Sequence, residues 1–133
     1  MKKTMSFLAS IALLLGLTFT AGLGQGMDLS GTWQGTTEIP DSQEVDEVIL
    51  VLEKTEQGYT GTLTDSLGFA QHEEIENIEF EDNNLSFSFT IFNGEDYLQI
   101  VMHLTIDSEN SMSGYWELED GSSSSIQLKK SSQ

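Results

Sequence analysis

From Leu85 to Ile91 and again, Val101 apart, from Tyr97 to Ile106, the chain changes character at every residue. Leu85, Phe87, Phe89 and Ile91 alternate with Ser86, Ser88 and Thr90. Leu98, Ile100, Met102, Leu104 and Ile106 alternate with Tyr97, Gln99, Val101, His103 and Thr105. A period of two puts each apolar set on one face of a strand and each polar set on the other. Asn93-Gly94 lies between the runs and reads as a two-residue hairpin. A chain that carries this pattern has to bury one face of a sheet.

The remaining segments repeat the theme, at a spacing of roughly 10 to 15 residues that suits an all-β meander. Strand one is 29–37, closed by Ile39-Pro40-Asp41-Ser42. Strand two is 48–54, with Val48, Leu50 and Leu52 inward and Ile49 and Val51 outward. Strand three is 59–65, entered through Glu56-Gln57-Gly58, and a looser connection follows with Leu67 and Phe69. Strand four is 75–81, with Ile78 and Phe80 inward, and Asp82-Asn83-Asn84 turns the chain. Strand seven carries Met112, Gly114, Trp116 and Leu118, and Ile126 and Leu128 mark a short strand eight. Gly31, Trp33 and Gly35 share a face, an arrangement that suits a tightly curved sheet. Eight short-turned strands are enough to close, and closure removes aggregation-prone edges. The expected fold is all-β: an eight-stranded antiparallel up-and-down meander closed as a small barrel, with a flattened β-sandwich as runner-up.

The start of the chain has a different character. Met1-Lys2-Lys3 is basic, 7–17 is almost wholly apolar, and small residues follow to Gly26. That is the layout of a secretory signal peptide, assigned to residues 1–24 with cleavage between 22 and 26. The barrel domain is then 25–133, exported to the periplasm or outside the cell. The chain has no Cys, so neither a disulfide nor a lipid-anchored cysteine is available. Beyond the signal, Lys54, Lys129 and Lys130 face 22 acids with no Arg, a formal charge of −19. Such a field repels nucleic acid and anionic membrane surfaces.

Reactive constellations are sparse. No Gly-x-Ser-x-Gly elbow occurs, and Ser122 to Ser125 reads as turn filling. His72 and His103 are the two histidines, and His72-Glu73-Glu74 lacks metalloprotease spacing. Glu95-Asp96 and Glu119-Asp120 fall at turns and read as solvated. Asp82-Asn83-Asn84 and Asp107-Ser108-Glu109-Asn110 lack the calcium-loop spacing. The expectation is therefore a non-enzymatic protein with no catalytic residue, no metal and no cofactor. The better candidate for function is the interior, where Trp33, Tyr59, Phe87, Phe89, Met102 and Trp116 either fill the barrel or line a pocket for a small apolar ligand. The alternative is an interaction or inhibitor module using an outer face, with Tyr97, Val101 and Tyr115 as outward candidates.

A resemblance adds to this reading. Gly31 to Thr36 (G-T-W-x-G-T), the apolar run Val48 to Leu52, and Gly58 to Leu63 (G-x-x-T-G-T-L) come first. Leu85 to Phe87, Gly114 to Trp116 and Ile126 to Lys129 complete the set. Together these resemble small secreted bacterial lipocalin-like (calycin-type) β-barrel domains over nearly the whole chain beyond the signal. The first-strand and third-strand phrases are also similar to avidin-type barrels, although the polar residues that hold a biotin-like ligand have no match here. The lipocalin resemblance implies that Trp33 closes one end of the barrel beneath a late cationic side chain. Lipocalins use an Arg there; this chain has none, and Lys129 is the expected, weaker substitute.

Overall fold

The computed structural model describes residues 27–131. The signal-peptide assignment falls on 1–24, outside the described residues. The alternating segments form β1 (Gly31–Glu38), β2 (Val45–Thr55), β3 (Gly58–Asp65), β4 (Glu73–Glu74), β5 (Glu76–Glu81), β6 (Asn84–Phe92), β7 (Tyr97–Ser108), β8 (Ser111–Leu118) and β9 (Ser123–Lys130). All pair antiparallel in one sheet, ordered β4-β3-β2-β1-β9-β8-β7-β6-β5. The first and last long strands are neighbours, with Thr37 opposite Ile126 and Trp33 opposite Lys130. The result is a nearly closed up-and-down barrel rather than a two-sheet sandwich.

The count is nine where the sequence suggests eight, because strand four is broken. Glu73-Glu74 pairs with β3, Ile75 donates its N–H to the Gly61 carbonyl at 3.1 Å, and Glu76–Glu81 pairs with β6. The two edges of the sheet are thus the two halves of one bent segment, which is how the barrel shuts. The bend is a bulge: the register slips between Glu76 and Glu79, and Asn77 takes the left-handed φ of 54°. Its amide donates to Ser88 Oγ at 2.9 Å, satisfying a hydroxyl that is buried in the wall.

The inward stripes are those the alternation indicates. Val48, Leu50, Leu52, Leu63, Leu85, Phe87, Phe89, Ile91, Ile100, Met102, Leu104, Ile106, Met112, Ile126 and Leu128 are buried in one continuous core, with Trp33 and Trp116. Two corrections concern local structure. The turn after β6 has four residues, not two: Asn93 Oδ1 accepts from the N–H groups of Glu95 and Asp96 at 2.8 Å each, with Phe92 opposite Tyr97. This Asx-type bonding competes with a tight Asn-Gly hairpin. The last strand is eight residues long, and Ser123 to Ser125 belong to it rather than to the turn. Asp82-Asn83, by contrast, is a two-residue hairpin with φ positive at both positions.

The ends of the barrel differ. The turns at 56–57, 82–83 and 109–110 are tight, and all lie at the end where β1 begins. The opposite end carries the longer loops 39–44, 66–72, 93–96 and 119–122. Tight curvature of the wall depends on missing side chains. A Cβ on Gly114 would run into the carbonyl oxygen of His103, and one on Gly35 into that of Gln127. Gly114→Ala is accordingly expected to lower the unfolding free energy by about 2–3 kcal/mol, read from urea denaturation. An unchanged midpoint would mean that β7 and β8 do not approach this closely.

Candidate functional site

The barrel interior is divided along its axis. At the tight-turn end it is packed solid. Trp33 is fully buried and donates its Nε1–H to the Leu29 carbonyl at 2.9 Å. Tyr59 Oη accepts the Leu29 N–H at 2.9 Å and donates to the Met27 carbonyl at 3.5 Å. The lead-in segment is thereby held across this end as a plug. The cation over the Trp33 ring is Lys130, with Nζ 5.5 Å from the centroid, not Lys129. Alternation explains the correction: Leu128 points inward, so Lys130 lies on its side of the strand and Lys129 on the exposed side. Lys130 Nζ also donates to the Asp28 carbonyl at 3.3 Å.

At the loop end the same interior holds a cavity of about 230 Å³. Its walls include Val48, Leu63, Phe89, Ile100, Met102 and Trp116, and it reaches the exposed Asp41 and Asn93 at the rim. Of the six interior residues named from the sequence, Phe89, Met102 and Trp116 line the cavity. Trp33, Tyr59 and Phe87 do not; Trp33 and Tyr59 belong to the plug, and Phe87 is buried in the packed core beside Phe89, ring centroids 6.2 Å apart. Phe69, from the loose connection after β3, folds in to line the cavity, while Leu67 stays exposed. Trp116 is fixed by its Nε1–H, which donates to Thr37 Oγ1 at 2.8 Å, and Thr37 donates in turn to the Ser125 carbonyl at 2.7 Å.

Two acidic residues, Asp46 and Asp65, also line the cavity. Asp46 is 4% exposed. Its Oδ1 accepts from the Ser66 N–H, the Ser66 hydroxyl and the Leu67 N–H, each at 3.1 Å. Asp65 accepts the Ala70 N–H on Oδ1 at 2.6 Å and the Leu67 N–H on Oδ2 at 3.2 Å. The two carboxyls face one another and tie down the 66–72 loop. Burial, reinforced by the hydrogen bond and negative charge of Asp65, pushes the Asp46 carboxyl up to about 7. Asp65 uses both oxygens as acceptors, whereas Asp46 Oδ2 receives no backbone donor among the described residues, so Asp46 is the partner with room for a shared proton. The signal for Asp46 was present: it stands two residues ahead of Val48 on the inward stripe of β2. Asp65 carried no comparable mark.

The outer face also keeps exposed rings. Tyr97 is 76% exposed and lies against Phe92, centroids 4.9 Å apart. Tyr115 stacks on His103 at 4.9 Å, and His103 Nε2 meets Glu117 at 3.0 Å. Val101, the third outward candidate, is half-buried between Ser88 and Glu117. Among the described residues no three His, Asp or Glu side chains converge as a metal site. No family model, curated protein or solved structure matches the chain.

The carboxyl pair gives stability a definite pH dependence. The folded chain keeps a proton on Asp46 that the unfolded chain, with its carboxyl near the ordinary 3.8, has already lost. Between about pH 4 and 7 the folded state binds more protons, so stability falls as pH rises through that window. Asp46→Asn, which places a permanent N–H donor where the proton sits, is expected to flatten this slope and to raise the melting temperature at pH 8. An unaltered slope in the variant would show that the pair does not share a proton.

Proposed function

We propose that this chain is an exported, non-enzymatic, lipocalin-like barrel that carries a small apolar ligand in the loop-end half of its interior. The observation that carries the reading is the cavity itself: about 230 Å³, walled by Phe89, Met102 and Trp116, and opening among four loops at one end. Binding sites concentrate where loops are held by a rigid scaffold. The volume exceeds the roughly 150 Å³ of an engineered apolar cavity that binds benzene. The family reading is supported by the meander order, by Trp33 closing the opposite end, and by Lys130 in the place of the lipocalin cation. Export rests on the layout of residues 1–24.

The measurement is Trp fluorescence during titration with apolar compounds between benzene and naphthalene in size. At least one compound is expected to give a saturable shift, and Val48→Phe, which grows into the cavity, is expected to abolish it with the melting temperature little changed. A flat response across the whole series would remove the ligand reading. A second reading, an interaction module, draws on the exposed Phe92–Tyr97 pair. A partner recovered from the exported fraction and lost on Tyr97→Ser, but kept in Val48→Phe, would favour it instead.

A further inference from the structure

The cavity wall is mainly apolar; its polar residues are Thr37, Asp41, Asn93 and Ser122 and, on the β2–β3 side, two carboxyls. Asp46 and Asp65 both line it, Asp41 stands at its rim, and among the described residues no Lys, Arg or His contributes to the lining. Asp46 is 4% exposed, yet every N–H and hydroxyl donor that reaches it goes to Oδ1. The Asp65 carboxyl lies within hydrogen-bonding reach of the Asp46 carboxyl in the same buried wall. Two neighbouring buried carboxyls are costly to ionise together, and either a shared proton or a cationic donor between them relieves that cost.

We propose that the cavity takes a small primary amine, an ammonium group on an apolar body, with the ammonium seated on the Asp46–Asp65 pair. The inference rests on the ligand-carrier reading above and names the chemistry of its ligand. Scaling from benzene in about 150 Å³, a cavity of this size suits a body of roughly nine non-hydrogen atoms. An ammonium brings three donors and one positive charge. It replaces the proton held between the carboxyls, so binding below about pH 7 releases a proton to solvent: the amine arrives charged, and Asp46 leaves its neutral form. The strong negative charge of the chain draws a cation toward the mouth. A divalent metal is a poorer fit, because only two carboxylates converge and metal sites want more ligands.

The test compares 2-phenylethylamine with its neutral isostere 2-phenylethanol, using calorimetry and Trp fluorescence on the full chain. At pH 8 the amine is expected to bind at least tenfold tighter than the alcohol. At pH 6, titrations in two buffers of different ionisation enthalpy are expected to show proton release for the amine alone. Asp46→Asn should weaken the amine tenfold or more and leave the alcohol within twofold, which also shows that the variant is folded. If that variant does not fold, the isostere comparison and the proton count on the unaltered chain decide the matter. Equal affinity for the two compounds would overturn the ammonium seat and leave the cavity reading intact. Binding of neither would overturn both.

Discussion

The ladder between β1 and β9 is the contact on which the rest of the molecule depends. Without it the chain is an open meander with two long edges; with it the inward stripes of all the strands face a common axis. The pairing brings Gly35 opposite Leu128, where any side chain on residue 35 would strike the β9 backbone. Curvature is thus fixed by what the wall lacks. On the far side the bent segment from Glu73 to Glu81 completes the circuit by lending one half to each neighbour.

Closure makes an interior, and the two ends use it differently. The tight-turn end is filled by the lead-in segment, which supplies Leu29 as a plug and offers its backbone to Trp33, Tyr59 and Lys130. At the loop end, among the described residues, the 66–72 loop sends in Phe69 and Ala70 without filling the interior. There the loops arch over a space that the apolar side chains leave unfilled. A barrel with only about a hundred residues spends part of its limited core on this void, at a cost in packing that a solid interior would avoid.

The buried carboxyls share this tension. Asp46 and Asp65 order the 66–72 loop by accepting its N–H groups, and that structural task accounts for one oxygen of Asp46 and both of Asp65. Two carboxyls facing each other in an apolar wall repel unless a proton lies between them. The arrangement therefore both anchors a loop over the cavity and leaves an acidic position looking into it. A mainly apolar chamber with a buried carboxyl pair in its wall has a chemical preference that a uniformly greasy one lacks.

Strand periodicity was legible in the residues themselves. Leu85 to Ile91, Tyr97 to Ile106 and Val48 to Leu52 declare their inward faces, because an alternating pattern has only one way to hide its apolar half. The same rule, carried one step further along β9, would have put Lys130 rather than Lys129 over Trp33, and one step back along β2 would have turned Asp46 inward. Other features had no local mark. Whether six large inward side chains fill a barrel or line a chamber depends on which end each occupies, and Trp33, Tyr59 and Phe87 fell on the packed side while Phe89, Met102 and Trp116 did not. The meeting of Asp46 with Asp65, nineteen positions apart, was decided by the antiparallel register of β2 and β3 and the loop that follows. Sequence by itself determined the strands and their faces, since these follow from neighbours one or two residues away; only the closed tertiary structure decided where the space was left and what charge looks into it, since both depend on strands that meet around a ring.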